Sequence, residues 1–418
     1  MAAAPQPPPL PESMANLPDD ILLSILSRIP CKADRARMSI VCKAWRAVLV
    51  RLKAPRPRPL PWLLLPTPLL GGSTRVACAL SGFRVHHYLT INPLGARCFG
   101  SHDGAWLFLS CGESKKRSHL LLDVRSSRIR DLPGEILRWN DPDAHRMVIL
   151  AATLSSSPDD PNCVVAAIVA ASRDPDSTPG AVPPFPPVQR CAAFWRMGWP
   201  RAIEIPLDAS QAVPSVEDVV YHDGAFRFLL THGDHILVCT PTMGHAGNLM
   251  TDWELIRFHP GGRIYDEHFI RARYLIESRG GLLLVVRFMA DRTQPWTSMF
   301  KVFLAIERKT TPDVDTDADF PLAKYPWSWS ELDTLGGRML FIGYGCSRSY
   351  ESDQYPGFKD GIYFSDDSKF YDEAMIFGKD NVVTYPCSDN GKWSEGHVQR
   401  CFPKPDPSDY SAPVWLLP

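Results

Sequence analysis

His232 and His235, with Gly233 and Asp234 between them, offer two imidazoles at a spacing that one metal ion can use. A metal centre needs further donors, and no cysteine or carboxylate motif stands beside this pair, so a solvated hairpin turn is expected. Asp313, Asp315, Asp317 and Asp319 alternate as calcium-loop ligands do, yet the glycine and the closing glutamate of such a loop are missing. Four like charges in close succession read as a self-repelling acidic loop. Gly345, Cys346 and Ser347, followed by Tyr350 and Asp353, present a thiol. Thiolate chemistry needs a neighbouring base or cation, and no histidine is near in sequence, so Cys346 is expected to be a small buried residue. Trp327 and Trp329 have the chemistry of an aromatic anchor, though packing between sheets is the stronger expectation. Gly343 and Gly345 lack the third glycine of a dinucleotide turn, and the sequence contains no Gly-x-Ser-x-Gly, His-Glu-x-x-His, phosphate loop or Cys-x-x-Cys. The chain is therefore read as having no catalytic residue, no metal site and no cofactor of its own.

The residues whose spacing does point to a function are apolar. Ile21, Leu22, Ile25, Leu26 and Ile29 fall on one face of a helix, with Asp19, Asp20, Ser24, Ser27 and Arg28 mostly on the other. Pro18 suits the first turn, Asp19 and Asp20 complement the positive end of the dipole, and Pro30 stops the helix. A second pattern over 33–42 carries Ala36, Met38, Ile40 and Val41, and a third over 43–52 carries Trp45, Val48, Leu49 and Leu52. Three helices in fewer than about forty residues make too small a unit to bury every apolar side chain. Leu17, Pro18, Ile21, Leu22 and Ile25 are then available to a second chain.

Composition bounds the rest of the chain. It has 418 residues, 45% of them hydrophobic, enough for these helices and one large domain or two of medium size. A formal net charge of −1 and no basic run argue against nucleic acid as a partner. The 11 cysteines are scattered and the sequence has no Asn-x-Ser/Thr acceptor, which fits a reducing compartment better than secretion. Residues 1–13 lack the basic and apolar regions of a signal peptide and read as a disordered leader. No apolar run approaches a membrane span, so a soluble protein in the cytoplasm, the nucleus or both is expected. The helices belong to a unit at 14–53, and alternating prolines at 54–61 form a stiff linker whose Arg56 and Arg58 keep it soluble.

From residue 62 to 418 the texture changes to short apolar runs bounded by Gly, Asp and Pro. Residues 106–110, 119–123, 163–169, 226–230, 235–239, 282–286 and 339–343 are runs of strand length. Several open on a glycine turn: His102 to Ala105, His222 to Ala225, Arg279 to Gly281 and Leu335 to Arg338, each placed to precede an inner strand. Gly224, Gly281 and Gly337 are about 57 and 56 residues apart, and Gly104 lies about twice that step before Gly224, the signature of a repeat. The expected fold is mainly β with a small α domain: three N-terminal helices, then a β-propeller of about six blades, with two sandwiches as the alternative. Trp-Leu-Leu stands at both ends of this region, at 62–64 and 415–417, and the two segments are expected to meet and close the ring.

Two resemblances sharpen this reading. Leu17-Pro18, Asp19 and Asp20, the Ile21, Leu22 and Ile25 stripe, Ile29-Pro30, Asp34, Arg37, Val41-Cys42-Lys43 and Trp45-Arg46 fill motif positions in order and resemble the F-box. The resemblance implies docking to a Skp-type adaptor and, through it, a cullin, by Leu17, Pro18, Ile21, Leu22, Ile25, Ile29, Pro30, Val41, Cys42, Trp45 and Arg46. Cys42 and Trp45 are the members of this set expected to be internal. Leu335-Gly336-Gly337, Gly345-Cys346-Ser347, Tyr355-Pro356-Gly357 and Ile362-Tyr363-Phe364, with the Trp-Leu-Leu segments, resemble the KIB-type propeller found behind many plant F-boxes. Together they imply a non-catalytic receptor subunit of an E3 ubiquitin ligase whose propeller holds an unknown target protein. The alternatives are an F-box scaffold or inhibitor that does not lead to ubiquitination, and a propeller enzyme with its site in the central channel.

Overall fold

In the computed structural model the residues described are 17–29, 31–51, 59–66, 74–89, 95–111, 118–138, 141–172, 190–205, 215–233, 235–244, 249–261, 263, 265–291, 296–309, 318–367 and 384–418. The leader at 1–13, most of the linker, Pro30, and Asp313, Asp315 and Asp317 lie outside them.

Helix α1 spans Asp19–Ser27, α2 Lys32–Met38 and α3 Lys43–Arg51. Pro18 stands just before α1 with extended backbone (φ −55°, ψ 147°), not in its first turn, and its carbonyl accepts from Leu22 N–H at 3.1 Å. That placement leaves the proline without a donor where none is needed. The second helix is shorter than its apolar pattern predicts: it ends at Met38, and the chain turns through residues 39–41. Leu22, Leu26, Trp45 and Val48 form the bundle's buried core, with Leu17, Ile25, Met38, Cys42, Ala44 and Leu49 packed around them.

Among the described residues the remaining strands form five sheets, one of them double, which make six blades of a propeller in chain order. The first holds Trp62–Leu65, Thr74–Cys78, Arg84–Leu89 and, from the far end of the chain, Val414–Leu416. The second holds Arg97–His102, Trp106–Cys111, Ser118–Asp123 and Ile129–Leu132. In the third, Asp141–Leu154, Val164–Ser172, Arg190–Arg196 and Arg201–Glu204 are closed into a small barrel by Glu135–Arg138, which runs parallel to the last of them. The fourth holds Val216–His222, Ala225–Leu230, His235–Met243 and Leu249–His259. The fifth holds Ile270–Ser278, Gly281–Met289, Thr297–Glu307 and Trp327–Glu331. Their outer strands pair in parallel at Phe258 and Trp327, so these two blades form one sheet of eight strands. The sixth holds Arg338–Ile342, Arg348–Glu351, Gly361–Phe364, Gly391–Ser394 and His397–Gln399.

The apolar runs are continuous because each blade is covered on both faces. In Val164–Ser172, Val165, Ala167 and Val169 enter the cluster shared with the second blade, while Val164, Ala166 and Ile168 enter the one shared with the fourth. The period of two thus serves two cores at once. In the fifth blade Leu283 and Val285 face the sixth, and Leu284 and Val286 face the fourth. Trp329 lies in the core between the fourth and fifth blades, stacked on Phe258 at 4.3 Å and donating from Nε1 to Gly233 O at 3.0 Å. Inter-blade packing, not surface anchoring, is therefore the role of this tryptophan.

The glycine turns sit differently from their sequence reading. Asp223 and Gly224 (φ 50° and 73°), like Arg279 and Gly280 (φ 53° and 75°), are two-residue hairpin loops, and the strands they open are the second strands of their blades, not inner ones. Positive φ at both central residues matches the twist of the flanking strands, which is why Asp-Gly and Arg-Gly suffice. The chain ends do meet: Trp62, Leu63 and Leu64 pair antiparallel with Leu416, Trp415 and Val414. Trp415 is buried and donates from Nε1 to Ile342 O at 2.8 Å, joining the closing strand to the sixth blade.

Candidate docking surfaces and the axial channel

Successive residues on a helix point about 100° apart, so α1 cannot turn its whole apolar stripe one way. Leu22 is 0% exposed and Trp45 7%, both in the bundle's own core. Ile21 is 44% exposed, Val41 41% and Ile40 74%. Pro18 and Arg46 are also exposed, and Arg46 donates from Nε to Ser39 O at 3.2 Å, bracing the turn before α3. Leu17, Ile25, Ile29 and Cys42 are half-buried at the border between the two environments. The fingerprint therefore divides. Leu22 and Trp45 hold the bundle together and are closed to a second chain, while Pro18, Ile21, Val41 and Arg46 are open to one; Pro30 lies outside the described residues. Ile40, which the motif did not single out, is more exposed than any of the motif's large apolar residues, and its position in the turn after a short α2 is what exposes it. Cys31 and Ala33 sit in the cluster between the first and sixth blades, so the bundle is seated on the propeller.

Near the axis, buried carboxylates tie blades to one another. Asp218 in the fourth blade accepts from Val219 N–H and Gly345 N–H at 2.8 Å through Oδ1 and from Leu275 N–H at 2.8 Å through Oδ2, linking blades four, five and six. Burial pushes its carboxyl up to about 8 against the pull of these three donors. Gly345 (φ +68°) approaches so closely that an added Cβ would stand 2.6 Å from Ala152 O of the third blade. The guanidinium of Arg287, fully buried, donates to Thr297 Oγ1, Tyr274 OH, Ser365 O, Asp367 Oδ1 and both Asp389 O and Oδ2. Burial alone would raise the Asp389 carboxyl, but Arg287, Arg271 and Arg400 hold it down to about 2.

A small cavity beside these groups, between blades one, two, three and six, is lined by Phe99, Gly100, Leu150, Tyr344, Asp367, Tyr385 and Trp415, together with Cys98 and Cys346. Its volume of about 30 Å³ fits about two water molecules. Burial pushes both thiols up to about 12, so neither is a nucleophile at neutral pH. Asp367 is the one carboxylate and no histidine lines the space among the described residues. His232, by contrast, is exposed in a turn remote from it in the chain.

Compared with known families, residues 14–52 match an F-box-like domain and residues 79–386 match the KIB1-4 β-propeller. The second match covers most of the chain. The protein belongs to the KIB1-4 β-propeller family. No curated protein matches it. This KIB1-4 propeller extends past the matched span at both ends, because the pairing of Trp62–Leu65 with Val414–Leu416 lies outside it. The Gly-Cys-Ser motif that carried the resemblance is explained by the axis: Gly345 alone fits against Ala152, and Ser347 Oγ donates to Gly343 O at 3.0 Å to hold the turn. No helix among the described residues is long and apolar enough to cross a membrane.

Proposed function

We propose that this KIB1-4 chain is the substrate receptor of an SCF-type E3 ubiquitin ligase. The observation that carries the reading is an F-box-like bundle whose motif residues Pro18, Ile21 and Val41 remain exposed after the bundle has built its own core. F-box domains generally bind Skp1-type adaptors, and an apolar strip on a seated bundle suits that contact. The adaptor brings the cullin, the propeller brings a target protein, and the chain contributes proximity and not covalent chemistry. Support for a receptor role comes from the architecture, an F-box-like domain followed by a β-propeller, which suits an adaptor or receptor better than a catalytic subunit. The receptor unit runs from 62 to 418 behind an F-box at 14–53 and works in the cytoplasm, the nucleus or both.

The test is direct binding of a purified Skp-type adaptor to the full chain and to a Leu17→Ala, Pro18→Ala double variant. The reading expects the variant to lose adaptor binding while the propeller keeps its far-ultraviolet spectrum. Undiminished binding by the folded variant refutes the docking assignment.

A further inference from the structure

Cys31, Cys78 and His86 come together where the helical bundle meets the first blade, and all three are fully buried. Cys31 immediately precedes α2, Cys78 ends the strand Thr74–Cys78, and His86 lies on the neighbouring strand Arg84–Leu89. The register pairs Val76 with His86 and Cys78 with Arg84, so Cys78 and His86 are diagonal neighbours on one face of the blade. Cys31 is brought to that face by the bundle.

Cys31 Sγ is 3.8 Å from Cys78 Sγ and 3.5 Å from His86 Nε2, and the three donor atoms all lie within 4.8 Å of one another. With Zn–S near 2.3 Å and Zn–N near 2.05 Å, a tetrahedral site has edges of about 3.75 Å between two sulfurs and about 3.55 Å between sulfur and nitrogen. These two edges fit, and the third, between Cys78 and His86, is no longer than 4.8 Å. Ser81 Oγ stands 3.1 Å from His86 Nε2, close to the roughly 3.3 Å edge of a fourth, oxygen donor. We propose that Cys31, Cys78 and His86 bind one zinc-class divalent cation, its fourth corner facing Ser81 or a water held by it, and that this ion fastens the helical bundle to the first blade.

The chemistry suits the surroundings. Binding releases the two thiol protons to solvent, and a divalent cation with two thiolates and a neutral imidazole carries no net charge into the apolar cluster of Leu60, Leu63 and Ala79. Thiolate and imidazole donors in a tetrahedron favour zinc over calcium or magnesium, which take oxygen. No spacing motif announces the site, because 47 residues separate Cys31 from Cys78 and the fold supplies the proximity. The inference stands apart from the receptor reading, since the ion would fasten the two parts whatever the bundle binds.

The test loads the full-length reduced chain with zinc, removes the excess and measures bound metal, then repeats the loading with cobalt(II). About one zinc per chain is expected, together with the intense visible bands of tetrahedral cobalt and a thiolate-to-metal charge-transfer band. Cys78→Ser and His86→Ala are expected to lower the bound metal by about tenfold, and Cys111→Ser, outside the cluster, to keep it. Because the cobalt spectrum is read on the unaltered chain, it decides the matter even where a variant fails to fold. Substoichiometric metal, a pale octahedral cobalt spectrum, or retention of metal by Cys78→Ser overturns the proposal. So does a peptide map in which Cys31 and Cys78 are already joined as a disulfide.

Discussion

Ile21 and Leu22 are adjacent, equally apolar and opposite in burial. A hydrophobic stripe in a sequence shows that a helix has an apolar face, but not how that face is shared between the helix's own neighbours and a second chain. That is why Leu22 and Ile21 read alike before the fold is known, and why burial separates them. Leu22→Ala is expected to destabilise the bundle by about 2–5 kcal/mol, because it opens a cavity between Leu26, Trp45 and Val48. Ile21→Asp is expected to change stability by about 0.5 kcal/mol or less and to abolish adaptor binding. Thermal unfolding and adaptor titration of the two variants, side by side, check both halves. Asp218 supports a second prediction at this scale. Its folded pKa, about 8, lies above the ordinary carboxylate value, so the folded chain keeps a proton that the unfolded chain gives up. The contribution is fully present below about pH 4 and is lost as pH rises toward 8, by at most about 1.4 kcal/mol per pH unit. Relative to Asp218→Asn, the unaltered chain should therefore lose melting temperature between pH 5 and 8, and a constant difference across that range contradicts the assignment.

The strands are the most legible elements. Runs such as 163–169 and 282–286 can be read as strands from length and β-branching alone, and their continuous apolar character follows from blades covered on both faces. What pattern cannot supply is the pairing: the parallel closure of the third blade through Glu135–Arg138 and the joining of blades four and five at Phe258 and Trp327. Those contacts depend on where outer strands lie after the ring has formed. The glycine turns are legible as reversals, but their assignment to inner strands fails, since turn chemistry does not say which strand is nearer the axis. At this scale Gly345→Ala is the informative change. It forces positive φ on an alanine and sets its Cβ against Ala152 O, and it should cost about 1–3 kcal/mol or more in urea unfolding of the propeller.

Closure organises the whole molecule. Six clusters, one between each pair of consecutive blades, complete a ring, and the last of them depends on a strand drawn from the end of the chain. The repeated Trp-Leu-Leu makes that closure readable in advance, whereas the meeting of Cys31 with Cys78 and His86 is not, because its members belong to different parts of the fold. Removing residues 413–418 should expose the edge of Trp62–Leu65 and lower the melting temperature of the propeller by several degrees with increased aggregation. An unchanged melting curve would mean that the ring does not rely on this strand. The central claim, that one end of the molecule docks to ligase machinery while the other holds a target, is tested most directly by affinity purification. The full chain and an Ile21→Asp, Val41→Asp variant are each recovered from cells, and the accompanying proteins are identified by mass spectrometry. The account predicts adaptor and cullin with the unaltered chain only and at least one further protein with both. Adaptor and cullin recovered equally with both chains, or with neither, would contradict it.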